Sequence, residues 1–134
     1  MLLSNAIVVD FDGFLVEHSF PEIGTLKEGA QEFLEGLRSD GYKIIISSCR
    51  NNKELRATDT ENRNYLEEIR IFLEAKNLHY DWIDDGQNGK PIGRAYCDDR
   101  NVPFFSTDDS HRDFEKMRKY IQIRFPASTF KREF

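Results

Sequence analysis

The sequence predicts an α/β domain with a central, mostly parallel sheet, and three features of the chain support that prediction. Short apolar runs of strand type alternate with amphipathic stretches of helical period, the order found where helices connect parallel strands. The first run, residues 6–9, is apolar at every position, as in a strand that is buried on both faces. Gly13 and Gly41 interrupt the pattern where such elements end. The length of 134 residues fits a single domain.

The first helix and the second strand follow from the next part of the chain. Apolar residues recur at helical spacing, at Leu26, Ala30, Phe33, Leu34 and Leu37. Gly41 then takes the usual place of glycine after a helix C-terminus. Residues 42–46 are rich in isoleucine and predict the second buried strand. The polar stretch 51–62 indicates a loop.

The second half of the chain continues the alternation. A second amphipathic stripe predicts a helix, at Tyr65, Leu66, Ile69, Phe72 and Leu73. Short strands are predicted over residues 80–83, 95–97 and 102–105. Residues 84–90 are polar and rich in glycine, which indicates a turn region.

The last helix is expected to begin at a capping residue near position 109. Asp108, Asp109 and Ser110 each have the side-chain oxygen that a helix N-terminus favours. The apolar face of this helix consists of Phe114, Met117 and Ile121. Residues 126–134 are expected to form an irregular tail, so that residues 1–134 make one domain.

Composition narrows the classes of partner. The chain has 24 acidic and 19 basic residues, a net charge of −5, whereas general binders of nucleic acids or anionic membranes are more often basic. The longest fully apolar run, residues 6–9, is far shorter than the roughly 20 residues that cross a membrane. We therefore expect no membrane segment, and the charge argues against a nucleic acid as the main partner.

The two cysteines, Cys49 and Cys97, are too few for a disulfide scaffold. They lie in or beside predicted strands, and neither a Cys-x-x-Cys motif nor paired histidines suggest a zinc site. Reduced thiols in a cytoplasmic protein are the expected state.

Two carboxylates directly follow the first strand, in Asp10-Phe11-Asp12-Gly13. Ligands of open α/β sheets bind outside the carboxyl ends of the strands, so two acids at such an end can face one ligand. Gly13 permits the sharp turn that leaves both groups accessible. A solvated acidic turn would have the same composition, and this motif alone does not decide between the two.

A hydroxyl and an ammonium group stand near later strand ends. Ser47 and Ser48 close the second predicted strand, where a hydroxyl can donate a hydrogen bond to a phosphoryl oxygen. Lys90 lies before the strand at residues 95–97 and has the charge to neutralise a bound anion. Serine at a strand boundary and lysine in a turn are common for structural reasons, so neither is informative on its own.

A second acidic pair, Asp98-Asp99, closes the strand at residues 95–97. Adjacent carboxylates repel each other, and their place at a buried strand end is explained if a cation lies between them and the first pair. Oxygen ligands of this kind suit Mg²⁺, which binds few carboxylates together with water and substrate phosphate. A solvated turn over residues 98–101 is the alternative explanation.

In this order, the four features resemble the motifs of the haloacid dehalogenase-like (HAD) superfamily of phosphohydrolases. Residues 10–14 (DFDGF) resemble its first motif, Ser48 its second, Lys90 its third and Asp98-Asp99 its fourth. Position 14 is Phe where the family usually has Thr or Val.

Two longer stretches resemble a smaller group within the superfamily. Residues 10–24 (DFDGFLVEHSFPEIG) and 90–101 (KPIGRAYCDDRN) look like small capless phosphatase-like proteins of bacteria and phages. The resemblance implies a three-layer Rossmann-like fold and catalysis through an aspartyl-phosphate.

The resemblance also implies a role for each motif residue. Asp10 would attack phosphorus, and Asp12 would protonate the leaving oxygen and then activate water. Ser48 would orient the phosphoryl group and Lys90 would balance its charge. The implied Mg²⁺ ligands are Asp10, Asp12 through its carbonyl oxygen, and Asp99, with Asp98 bound directly or through one water molecule.

Many members of the superfamily have a separate cap domain over the site. The intervals from Asp12 to Ser48 and from Ser48 to Lys90 are each too short for a domain of about 50 residues. We therefore expect no separate cap domain but a short flap over residues 14–25, and a second copy of the chain could cover so open a site.

His18 and Arg50 are the candidates for contacting substrate. His18 lies in the expected flap and could relay a proton or touch the leaving group. Arg50 follows the second motif and could clamp an anionic group in two places, or pair with a neighbouring acid instead.

We therefore expect a Mg²⁺-dependent phosphohydrolase that cleaves a small phosphomonoester of the sugar phosphate or nucleotide class. One alternative is a phosphatase for a terminal phosphate of a nucleic acid, since the run Asp98-Asp99-Arg100 also occurs in polynucleotide phosphatases of the superfamily. Another is a non-catalytic module that binds phosphate and Mg²⁺. A receiver-like module is disfavoured, because its phosphorylated Asp would close the later strand, which here ends in Ser48.

Overall fold

The structure, a computed structural model, describes residues 5–51, 63–87, 91–98 and 109–127. In these ranges strands and helices alternate as β1 (Ala6–Asp10), α1 (Ala30–Ser39), β2 (Lys43–Ser47), α2 (Tyr65–Ala75), β3 (Trp82–Ile83), β4 (Ala95–Cys97) and α3 (Ser110–Arg124). A 3₁₀ turn, Cys49–Asn51, follows β2. The predicted strand at 102–105, residues 52–62 of the predicted loop and the tail from 128 lie outside the described residues.

The described strands form one parallel sheet in the order β3-β2-β1-β4. β1 lies inside the sheet, with Asp10 opposite Ser47 of β2 and Val9 opposite Cys97 of β4. Because all four strands run in the same direction, their carboxyl ends meet at one edge of the sheet. The predicted α/β class with a parallel sheet is confirmed, and the arrangement is consistent with a Rossmann-like three-layer fold without a separate cap among the described residues.

Both faces of the central strands are buried, which explains why their sequences are apolar at successive positions. One face joins all three helices in the larger hydrophobic cluster, whose members include Ile7, Val9, Ile44, Ile46, Leu34, Leu37, Ile69, Leu73, Phe114, Met117 and Ile121. The other face forms a smaller cluster from Ala6, Val8 and Ile45 with Trp82 and Tyr96.

α1 begins later than its apolar spacing predicts. The helix starts at Ala30, whereas Leu26 forms an antiparallel bridge with Val16 in the segment before it. Gly29 precedes the helix at φ +90, and a Cβ there would lie 2.7 Å from the backbone of His111. A glycine is therefore required where the start of α1 meets the start of α3.

α3 agrees with its prediction at the N-terminus. Asp109 is the capping residue, and its carboxylate accepts a hydrogen bond from the N–H of Arg112 at 3.1 Å. The three predicted core residues of this helix, Phe114, Met117 and Ile121, are all buried. No helix in the described part of the chain combines the length and the apolar character needed to cross a membrane.

Candidate active site

The structure brings together acids from two strands that are distant in sequence. Asp10 ends β1 opposite Ser47, and Asp98 is the residue after Cys97, which pairs with Val9. Adjacent strands lie about 4.8 Å apart, and the alternation of side chains places Asp10 and Asp98 on the same side of the sheet. The carboxyl edge therefore has two neighbouring carboxylates with a serine beside them.

The chain after β1 makes a tight turn that fixes Asp12. The carbonyl oxygen of Phe11 accepts a hydrogen bond from the N–H of Phe14 at 3.2 Å, and the N–H of Gly13 donates to Val16 at 2.7 Å. Gly13 has φ +79, a conformation that glycine adopts without strain. Asp12 is held in this turn with only 8% of its surface exposed.

Lys27 fixes the same turn from a distant position. Its ammonium group donates a hydrogen bond to the carbonyl oxygen of Gly13 at 2.7 Å, and its backbone N–H donates to Leu15 at 2.9 Å. Lys27 was not predicted from the sequence, because the contact joins residues 14 positions apart and no local motif marks it.

Phe14, which differs from the residue usual in the superfamily that the sequence resembles, packs into the core. It is 1% exposed and meets Phe33 of α1 and Phe114 of α3 edge-on, with ring centroids 6.0 and 5.4 Å apart. Such aromatic pairs stabilise a core beyond the area they bury. The large side chain at position 14 therefore anchors the turn to the two helices.

The two serines at the end of β2 have different neighbours. Ser47 pairs with Asp10 in the sheet. The hydroxyl of Ser48 donates to Oδ2 of Asp12 at 3.4 Å, a long hydrogen bond, and accepts from the backbone N–H of Arg50 at 3.1 Å. Ser48, the predicted motif serine, therefore lies beside Asp12.

Arg50 is fully buried and faces Asp12. Its Nε lies 2.7 Å from Oδ2 of Asp12, and its Nη2 lies 2.9 Å from Oδ1. Of the two roles considered from the sequence, contact with a substrate anion or an ion pair with a neighbouring acid, this structure shows the ion pair.

The remaining contacts of Arg50 join the site to the flap. Nη1 donates to the carbonyl oxygen of Pro21 and Nη2 to that of Glu22, each at 2.6 Å. The guanidinium also lies over the rings of Phe20 and Tyr65, 5.0 and 5.8 Å from their centroids. A buried guanidinium is tolerated when its donors are satisfied in this way.

The flap, residues 14–25, closes on itself through backbone contacts. The N–H of Glu17 donates to Thr25 at 2.9 Å, and a Cβ on Gly24 would lie 2.0 Å from the carbonyl oxygen of Glu17. Gly24 is therefore required for the close approach of the two sides. His18 and Phe20 are exposed on this segment.

Burial raises the pKa of two groups next to the carboxyl edge of the sheet. Asp84 directly follows β3, and burial raises the pKa of its carboxyl group, with a smaller opposing effect from the Gly86 backbone and a further rise from Asp85. Burial, together with the charge of Asp98, raises the pKa of the Cys97 thiol to about 12. Asp84 was not among the residues predicted from the sequence, although an acid directly after the predicted strand at 80–83 was a usable signal.

The described residues supply part of the metal site that the resemblance implies. Among them, no three His, Cys, Asp or Glu side chains lie together as a metal-binding group. Asp10 and Asp98 have the oxygen donors that Mg²⁺ prefers, and Asp12 could add its carbonyl oxygen while its carboxylate pairs with Arg50. Lys90 and Asp99 lie outside the described residues.

A groove of about 480 Å³ opens at the base of the flap. Its lining includes Glu17, Lys27, Glu28, Asp109 and Ser110. It lies between the flap and the start of α3, and none of the predicted site residues lines it.

The chain matches no protein-family model and no curated protein. Two solved structures are similar to it. A conserved protein from Bacteroides thetaiotaomicron has 26% sequence identity and a TM-score of 0.59, with 92% of this chain and 98% of that chain covered. A structural-genomics target from Vibrio cholerae has 24% identity and a TM-score of 0.50, with 84% and 98% covered. Neither name states a function, so the likeness supports the fold over most of the chain.

Proposed function

We propose that this chain is a Mg²⁺-dependent phosphohydrolase of the HAD superfamily that cleaves small phosphomonoesters through an aspartyl-phosphate on Asp10. The observation that supports this most is the position of Asp10 at the carboxyl edge of the sheet, beside Ser47 and one strand from Asp98. Open α/β sheets bind their ligands at this edge. The order of the four motifs along the chain adds independent support.

Asp10 is the nucleophile in this proposal. Its carboxylate forms a bond to phosphorus while the bond from phosphorus to the ester oxygen breaks, and that oxygen leaves with the bonding electrons. Water then attacks the phosphorus, breaks the bond to Asp10 and releases inorganic phosphate. The place of Asp10 at the end of an interior strand holds it in a fixed position for the first step.

Asp12 handles the protons in both steps. In the first step Asp12 acts as a protonated carboxyl group, which donates its O–H to the departing ester oxygen while it still accepts from Arg50. In the second step the carboxylate takes a proton from the attacking water. Ser48 lies next to Asp12 and orients the phosphoryl group by donating a hydrogen bond.

The charge of the substrate has to be balanced, because an anionic nucleophile approaches an anionic phosphate. Mg²⁺, when bound by Asp10, Asp98, Asp99 and the carbonyl oxygen of Asp12, supplies positive charge at the phosphoryl group. Lys90 adds a second positive charge in this proposal.

The size of the substrate that can bind depends on how much of the site the flap covers. A short flap in place of a cap leaves the carboxyl edge open to a sugar phosphate or a nucleotide. The exposed His18 on the flap is the candidate for contact with the leaving group. The net charge of −5 disfavours a long polyanion, so a nucleic-acid end is the second substrate to be tested.

A phosphate-release panel tests the proposal. Sugar phosphates, nucleoside monophosphates and a 3′-phosphorylated oligonucleotide are incubated with the protein in Mg²⁺ or in EDTA. We expect release from a small phosphomonoester in Mg²⁺ only, and its loss in Asp10→Asn. Asp40→Asn is the matched control, because Asp40 follows α1 at the opposite edge of the sheet and pairs with Arg118. Equal turnover by wild type and Asp10→Asn, or no release from any substrate, would contradict the proposal.

A further inference from the structure

One nitrogen of Arg50 joins the acid of the first motif to the flap. Nη2 donates both to Oδ1 of Asp12 at 2.9 Å and to the carbonyl oxygen of Glu22 at 2.6 Å. Nη1 holds the neighbouring carbonyl of Pro21 at 2.6 Å. A change in the position of the flap is therefore transmitted to the partner of Asp12 through a single rigid group.

The guanidinium is held in its plane from two directions. Phe20 of the flap and Tyr65 at the start of α2 both lie within cation–π distance of it. The backbone N–H of Arg50 is fixed by the hydroxyl of Ser48. These contacts leave the side chain little freedom to turn while the flap stays in place.

Only an arginine can make this set of contacts. The guanidinium has five N–H donors in a planar fork, whereas a lysine ammonium is a point charge that cannot engage two carboxylate oxygens and two carbonyls in the same plane. Substitution of Arg50 by lysine thus keeps the charge and removes the geometry.

We propose that Arg50 is a positioning residue that orients the carboxylate of Asp12 and couples it to the position of the flap. This inference rests on the proposed function for the acid–base role of Asp12. The orientation of the Asp12 carboxylate then depends on the position of the flap, because the guanidinium of Arg50 contacts both. A displacement of about 1 Å in such a group can reduce turnover roughly 100-fold.

Kinetics with leaving groups of different basicity test the orienting role. Arg50→Lys is expected to lower kcat about 100-fold for alkyl phosphates and clearly less for aryl phosphates, whose leaving oxygens need less help from an acid. It should also change the pH profile of kcat. Equal losses for both substrate types would overturn the proposal, because they would indicate a general role in folding or phosphate binding.

Arg63→Lys is the matched control. Arg63 also contacts the flap, through an ion pair with Glu22 at 3.1 Å, and it lies over the same Tyr65 ring at 5.6 Å. It forms a further ion pair with Glu68. We expect it to stay within a few-fold of wild type for both substrate types. A loss in Arg63→Lys equal to that in Arg50→Lys would assign the effect to the flap surface and overturn the role of Arg50.

Hydrogen exchange tests the coupling without turnover. The backbone N–H groups of Glu17 and Lys27 are hydrogen-bonded in or beside the flap and serve as reporters. We expect Arg50→Lys and Asp12→Asn each to raise their exchange rates at least tenfold, while the amides of β1 stay protected and show that the variants fold. An Asp12→Asn variant with unchanged flap exchange would overturn the coupling. If both variants raise the exchange of the flap amides but the wild type releases no phosphate from any substrate, the coupling is supported and the proposed function is refuted.

Discussion

The guanidinium of Arg50 lies against the carboxylate of Asp12 inside the protein, with side-chain exposures of 0% and 8% and a shortest distance of 2.7 Å. The pair connects residues 38 positions apart, one after β1 and one after β2. It is therefore a contact between the first predicted motif and a residue just after the second, made at the edge of the sheet where ligands of this fold class bind.

Removal of Arg50 is expected to destabilise the protein strongly. Arg50→Ala leaves the carboxylate of Asp12 buried without its partner, which costs about 3–5 kcal/mol for pairs of this kind. Urea unfolding measures the change in the free energy of unfolding. Arg70→Ala is the control, because Arg70 pairs with Glu67 and Glu74 on the half-exposed surface of α2, where ion pairs contribute little to stability. A similar decrease in the free energy of unfolding in the two variants would show that the buried pair stabilises the protein no more than a surface pair.

Phe14 is expected to act through packing. Phe14→Ala removes a buried ring between α1 and α3 and should cost about 3–5 kcal/mol in the free energy of unfolding. Phe20→Ala is the comparison, since Phe20 is 46% exposed and its contact with Arg50 amounts to about 1 kcal/mol. If Phe14→Ala lowers the free energy of unfolding no more than Phe20→Ala does, Phe14 does not pack in the core as described.

Asp84 gives a prediction about pH. Burial raises the pKa of its carboxyl group in the folded state, so between the ordinary and the raised pKa the folded protein binds more protons than the unfolded chain. The contribution of Asp84 to stability therefore falls as the pH rises through this window. Asp84→Asn, whose amide oxygen can still accept a hydrogen bond from the Gly86 backbone, should raise Tm at pH 7.

Thermal unfolding at two pH values checks this prediction. The rise in Tm caused by Asp84→Asn should be smaller at a pH below the ordinary Asp pKa of about 3.9, where Asp84 is neutral in both the folded and the unfolded state. Glu35→Gln on the exposed surface of α1 controls for the loss of one negative charge. A gain of the same size at both pH values would show that ionisation of Asp84 is not its cause.

The fold could be predicted where local pattern decides the structure. The apolar runs of β1, β2 and β4 and the cap of α3 at Asp109 are all properties of short segments, and the structure confirms them. The predicted start of α1 was wrong, because Leu26 fits the helical spacing but forms a β-bridge with Val16 instead. That choice depends on the turn after β1, which the pattern around Leu26 does not contain.

The candidate site could be predicted as a set of residues but not as a set of contacts. Parallel strands and the order of the motifs place Asp10, Ser48 and Asp98 at one edge. The partner of Arg50 could not be fixed from sequence, since substrate phosphate and a carboxylate offer the same pair of oxygens. Lys27 was missed because its contact with Gly13 is made across the flap.

Trapping of a covalent intermediate tests the central claim most directly. The Asp12→Asn variant is mixed with Mg²⁺ and an aryl phosphate that the wild type hydrolyses, quenched in acid and digested for mass spectrometry. An aryl leaving oxygen needs little protonation, so the first step should proceed in this variant while the second is slow. We predict one phosphoryl group on the peptide that contains Asp10, absent in EDTA and in the Asp10→Asn variant. A phosphoryl group on any other residue, or turnover that persists after Asp10→Asn, would contradict the account.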